Sequence, residues 1–137
     1  MQRNLGTTGL QVSPVGVGGH YRAMEEGKYE ERTAYIEQEI PLRCRIVERA
    51  VGRGITYFDT TWKNEAELLG HALKQTGLRD KVVVNGMVLG SFTGSKATGL
   101  SVEAYFEKWL DNRLDNFPGG YFDTFMVNAI EEEYDEA

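Results

Sequence analysis

Short β-branched or aromatic runs alternate with helical periodicity along almost the whole chain, and no other feature narrows the fold as much. Consecutive strand–helix steps within one sheet demand parallel pairing and right-handed crossovers. The clearest stretch is Arg53-Gly54-Ile55-Thr56-Tyr57-Phe58-Asp59-Thr60-Thr61, where a glycine ends a helix, an apolar run follows and an aspartate closes it. A run of this kind bounded by turn signals reads as a buried strand. Asp59 then falls where the strand becomes a loop, the face on which parallel α/β architectures place their chemistry. An aspartate in that position also serves as a helix cap or loop anchor, so Asp59 alone is only a candidate.

The other steps fall on either side of that strand. Leu5-Gly6-Thr7-Thr8-Gly9-Leu10 brackets a polar turn with glycines and predicts a hairpin over residues 3–12. Val15 to His20 reads as a first strand whose glycines leave room for a close approach to the backbone. Residues 21–39 are dominated by charge and read as an exposed insertion, partly helical at most. Pro41 suits a first helical turn, followed by an apolar stripe at Leu42, Ile46, Val47, Ala50 and Val51, with Gly52 and Gly54 as stops. Asn64 with Glu67 resembles a capping box for a helix carrying Leu68, Leu69, Ala72 and Leu73 and ended by Gly77. Lys81 to Val88 is a third strand whose unbroken apolar character suits a parallel sheet buried on both faces. Residues 90–100 read as a flexible loop that does not match the P-loop pattern. Ser101 caps a helix with an apolar stripe at Val102, Tyr105, Phe106, Trp109, Leu110, Leu114 and Phe117, a pattern that usually means core. Pro118-Gly119-Gly120 stops it, and residues 121–128 read as a fourth strand. The fold class is therefore α/β, with a hairpin and about four βα units over residues 15–130. An eight-unit (β/α) barrel takes about 250 residues, and a chain of 137 holds about half of one.

Composition sets the outer limits. A net charge of -6 argues against a nucleic-acid partner, and no apolar run is long enough for a membrane span. The N-terminus lacks the apolar core of a signal peptide, so a cytoplasmic location follows by default. Cys44 is the only cysteine, which excludes an internal disulfide and a cysteine-built zinc site, and no metal site is expected. Glu131 to Glu136 reads as a solvated acidic segment.

With the strands placed, the chain resembles the aldo-keto reductases, NADPH-dependent oxidoreductases with a (β/α)8 barrel. Arg3 to Ser13 is similar to the hairpin that plugs the bottom of that barrel, and Ala50 to Thr60 to the family's second-strand signature. Glu67 to Lys74 is similar to the helix that follows, Arg79 to Val84 to the start of the third strand, and Phe122 to Asn128 to the fourth. The resemblance implies an NADP(H)-dependent reduction of a small-molecule carbonyl substrate. In the family an aspartate, a tyrosine, a lysine and a histidine carry it. The tyrosine donates a proton while hydride arrives from the nicotinamide, and the lysine–aspartate pair lowers the tyrosine's pKa.

Residue by residue, only the aspartate carries over, as Asp59. The loop Thr60-Thr61-Trp62-Lys63-Asn64 contains no tyrosine, Met87 stands where the lysine is expected, and Asn128 stands where the histidine is expected. Asn128 can orient a carbonyl without titrating. His20 and Tyr21 follow the first strand and are the best local candidates for a relocated acid, whereas His71 on the second helix reads as structural. On the cofactor side the candidates are Gly18, Gly19, Asp59 and Asn85. The resemblance places the phosphate-binding loops in the half of the barrel not represented here. Three readings stay open. The chain is the first half of a divergent reductase, truncated or awaiting its other half; or a non-catalytic half-barrel, a pseudoenzyme that forms a homodimer or docks on a complementary chain; or an inactive gene fragment.

Overall fold

A computed structural model describes residues 2–19, 29–89, 91–115, 117 and 120–128. The chain begins with the expected hairpin: β1 (Arg3–Asn4) pairs antiparallel with β2 (Gln11–Val12). The Leu5 amide donates to the Leu10 carbonyl at 2.9 Å, and the Thr8 hydroxyl donates to the Leu5 carbonyl at 2.6 Å. Gly6 and Gly9 stand at φ 56° and 79°, a region costly for residues with a Cβ, which is why this turn carries two glycines. Ser13, buried just past β2, fastens the hairpin to the sheet. Its amide donates to the Thr56 hydroxyl, and its own hydroxyl accepts from the Thr56 amide at 2.9 Å and the Tyr57 amide at 3.3 Å. The hairpin is thereby tied to the end of the sheet at which the parallel strands begin.

Four strands make that sheet: β3 (Gly16–Val17), β4 (Tyr57–Thr60), β5 (Val83–Leu89) and β6 (Thr124–Asn128). All three pairings are parallel and the spatial order is β3-β4-β5-β6, the order of the sequence. The helices between them are α1 (Tyr29–Gly52), α2 (Lys63–Thr76), α3 (Ser91–Thr98) and α4 (Val102–Leu114). Phe58 and Val84 lie side by side across β4 and β5 and share a buried cluster with Val47 and Ala50 of α1 and Leu69 and Leu73 of α2. On that same face of β6, the Phe125 ring takes edge contacts from Phe106 and Trp109 of α4 at 5.1 and 5.5 Å. Helices α1, α2 and α4 therefore pack on one face. The alternate residues Tyr57, Asp59, Val83, Asn85, Met87, Thr124 and Met126 point to the other.

An ion pair closes the last step. Arg79, in a single 3₁₀ turn (Arg79–Lys81), donates to Asp123 at 2.9 Å and to the Tyr121 carbonyl, with its guanidinium 3.9 Å from the Tyr121 ring centroid. The same Asp123 oxygen accepts from the Val84 amide at 2.8 Å, which pins the start of β6 to β5.

Several local expectations need correction. Pro41 lies inside α1 rather than opening it, because the residues from Tyr29 onward, with Glu30, Glu31, Arg32, Ala34, Glu37, Gln38 and Glu39, are good helix formers and carry the helix upstream. The charged stretch before Pro41 is thus helical from Tyr29 to its end. Asn64 does not cap α2: Trp62 occupies the cap position, and the Glu65 carboxylate accepts from the Thr61 and Trp62 amides at 2.7 and 3.1 Å. The segment read as a flexible loop holds α3, whose Ser, Thr and Gly content hides it from propensity and which packs against α4. The fourth strand begins at Thr124, three residues later than expected. The α4 stripe is only half-buried, with Phe117 beyond the helix fully enclosed, because α4 covers the flank of the sheet next to an unpaired edge. Gly77 and Ser101 act as read: Gly77 ends α2 at φ 67°, and the Ser101 hydroxyl accepts from the Ala104 amide at 3.1 Å.

Candidate functional site

The polar residues that the sheet gathers are in lateral register. Asp59 of β4 lies opposite Asn85 of β5, and Asn85 lies opposite Thr124 of β6. In a parallel sheet such neighbours point to the same face, and here they form a relay. The Thr124 hydroxyl donates to Asn85 Oδ1 at 2.9 Å, and Asn85 Nδ2 donates to Asp59 Oδ1 at 2.7 Å. Each donor points toward the carboxylate, so the row ends on its one anionic member.

Asn85 is the centre of this arrangement. It is 2% exposed in a strand of valines, and both ends of its amide are engaged. The Thr60 hydroxyl donates to its backbone carbonyl at 3.0 Å, from the face turned toward the helices. A buried amide without partners would cost roughly 1–3 kcal/mol; satisfied on both sides, it fixes the rotamer of Asp59 instead. Asp59 itself is half-buried, and among the described residues its second oxygen has no hydrogen-bond partner. A ligand approaching the sheet on this face would meet that oxygen before it met Asn85.

Chemically the row is an acceptor platform. An amide does not titrate and carries no charge, so Asn85 orients Asp59 without moving a proton. Further along the same face, Met87 faces the Thr61 hydroxyl at a sulfur–oxygen distance of 4.0 Å. A thioether there supplies neither charge nor acidity. None of the described residues on this face is basic.

The other expected site residues divide. Asn128 ends β6 in register with Leu89. His20 and Tyr21 lie outside the described residues. The Gly18 carbonyl is 3.5 Å from an Arg43 nitrogen, and a Cβ added at Gly18 would meet nothing within 4 Å. At Gly19 a Cβ would come within 3.3 Å of Arg43 and 3.4 Å of Glu65, so that glycine already has a packing reason, the close approach of α1 and α2. His71 lies half-buried on α2. Thr124 was not legible as a site residue, since its only signal is the lateral register that the fold creates. Among the described residues no group of three or more His, Cys, Asp or Glu side chains is arranged to hold a metal ion, and no helix is long and apolar enough to cross a membrane.

Compared with protein-family models, with curated proteins and with solved structures, the chain has no match. Its function has to be argued from its own geometry.

Proposed function

We propose that this chain supplies the first half of an aldo-keto reductase-like barrel, and that Asp59 belongs to an NADP(H)-dependent carbonyl-reducing site completed by further strands. The observation that carries the reading is the winding of the sheet. Its parallel strands run in sequence order with α1, α2 and α4 on one face, and the hairpin is tied to the end where they begin. A doubly wound sheet reverses its strand order, whereas a barrel does not. In a barrel the opposite face becomes the interior, and Asp59 stands there in the last half of β4.

The residues fit the nicotinamide end of such a site better than the phosphate end. Among the described residues, one carboxylate oxygen of Asp59 is left for a donor and no base stands on that face, which leaves the phosphates to be held elsewhere. The cofactor would supply hydride. Proton donation is another matter, because Asn85 takes the place of a cationic partner for Asp59 and Met87 adds none. No turnover is expected from these residues alone, and nicotinamide binding is expected only once the further strands are supplied.

A second reading is favoured by the edges. Among the described residues β3 and β6 each have one unpaired side, and Met126 and Val127 on β6 are 45% and 42% exposed. Open parallel edges invite pairing, and a two-fold assembly would join each β6 to the β3 of its partner as a non-catalytic, closed structure. One series of measurements separates the readings: light scattering and near-UV circular dichroism of the purified chain, then titration of NADPH fluorescence. Saturable NADPH binding that Asp59→Asn weakens, in a version of the chain extended by the further strands, is the expected result for the reductase reading. An extended version that leaves NADPH fluorescence unchanged overturns that reading, a folded dimer of this chain favours the second, and a folded monomer counts against the second.

A further inference from the structure

Helix α1 keeps one side off the body of the protein. Its inner side gives Val47 and Ala50 to the core, whereas Glu37, Pro41, Arg45 and Arg49 are exposed and follow one another at a spacing of four. Residues so spaced form a ridge along a helix, the kind of ridge through which helices most often pack. Arg53, four positions on and just past the helix end, continues the row. Arg45, Glu48, Arg49, Gly52 and Arg53 line an open groove of about 550 Å³ there. Among the described residues, the side chains of Glu37, Arg45, Arg49 and Arg53 make no hydrogen bond or ion pair.

The ridge divides at Pro41 into acceptors and donors. Proline has no N–H, so the Glu37 carbonyl lacks the donor that the helix would otherwise give it, and the Glu37 carboxylate belongs to the same residue. On the other side of Pro41 stand Arg45, Arg49 and Arg53, whose planar N–H forks match a carboxylate. Glu48 lies one position off this row. Such a ridge is its own complement. Set antiparallel against a second copy, with a two-fold axis at Pro41, it brings Glu37 opposite the partner's Arg45 and Arg45 opposite the partner's Glu37. Arg49 then falls between the partner's positions 30 and 37, both glutamates.

We propose that α1 is a docking surface for a second copy of this chain, the two helices crossing antiparallel at Pro41 and held by reciprocal Glu37–Arg45 ion pairs. The surface uses no strand edge and does not depend on the reductase reading. The test is sedimentation velocity on the full chain and on two charge reversals, Arg45→Glu and Glu37→Arg, over a range of concentrations at low and high salt. A single helix pair makes a small interface, so the expected state is a monomer–dimer equilibrium that salt shifts toward monomer. Each reversal sets like charges in both symmetric contacts and should weaken the dimer about tenfold. Mixed in equal amounts, the two variants should pair with each other at close to the parental affinity, because every contact then joins unlike charges again. Both positions are exposed, and unchanged near-UV circular dichroism of each variant checks that its fold is intact. A parent chain that is monomeric throughout, a dimer that either reversal leaves unaltered, or variants that fail to pair when mixed would overturn the proposal. Pairing of β3 with β6 gives a dimer insensitive to both reversals, and NADPH titration of the extended version should be the same with and without Arg45→Glu. Failure here is thereby distinct from failure of either reading of the sheet.

Discussion

Replacing Asn85 by alanine tests whether the polar row is built as described. The substitution removes the donor to Asp59 at 2.7 Å and the acceptor for Thr124 at 2.9 Å from a residue 2% exposed. A hydrogen bond to a charged group contributes roughly 1.5–3 kcal/mol and a neutral one roughly 0.5–1.5. Asp59 and Thr124 are both half-buried, so water can replace part of what they lose. The expected cost is therefore in the lower half of the sum, about 2–3 kcal/mol. The bond from Thr60 goes to the backbone carbonyl of residue 85 and survives the change. Urea unfolding followed by far-UV circular dichroism gives the free energy, with an unchanged m-value as the check that the unfolding transition is comparable. In an Asp59→Ala background the same substitution should cost about 1–2 kcal/mol less, since its charged partner is already gone. Asn85→Asp should be worse than alanine near neutral pH. It sets a second carboxylate beside Asp59, and its deficit should shrink as the pH falls and the two share a proton. A cost for Asn85→Ala below about 0.5 kcal/mol, or strict additivity with Asp59→Ala, would refute the idea that Asn85 holds Asp59 in place.

Other expectations follow from packing and charge. Gly86→Ala would place a Cβ 2.8 Å from the Phe125 ring and 3.1 Å from Phe122, neither of which can yield without disturbing α4, and should cost about 1–3 kcal/mol in the same unfolding assay. Asp123→Ala breaks an ion pair whose side chains are 12% and 14% exposed and also leaves the Val84 amide without its acceptor. A loss of about 3–5 kcal/mol is expected, with β6 loosening first in hydrogen exchange. Burial, and then the neighbouring Glu48, push the Cys44 thiol above its ordinary value of 9.0. The native protein thus keeps that proton to higher pH than the unfolded chain does. The resulting stability is whole below the unfolded thiol's pKa and is lost as the pH rises through the folded value. Iodoacetamide should accordingly alkylate native Cys44 more slowly than the urea-unfolded chain between about pH 8 and 10.

Signals that act over a few residues were legible without the fold. The two glycines of the hairpin turn, Gly77 as a left-handed stop and Ser101 as a cap each report a local backbone demand that any tertiary context must meet. The errors came where local preference and packing disagree. Pro41 looked like a helix start because proline suits first turns, yet the helix-forming residues upstream carried α1 past it. α3 was hidden because serine, threonine and glycine outweigh Lys96 and Ala97 in its composition. The α4 stripe was visible, but its burial depended on how much sheet lay beneath it.

By itself the sequence determined the α/β alternation, the parallel character of a valine-rich third strand and the position of Asp59 at a strand end. All three rest on periodicity and turn chemistry, which are properties of neighbouring residues. Only the tertiary structure decided that Asp59, Asn85 and Thr124 stand in one row and that Asn85 serves as the link. Those residues are separated by 26 and 39 positions along the chain. Their contact is set by strand register, and a slip of one residue would have turned each of them to the other face.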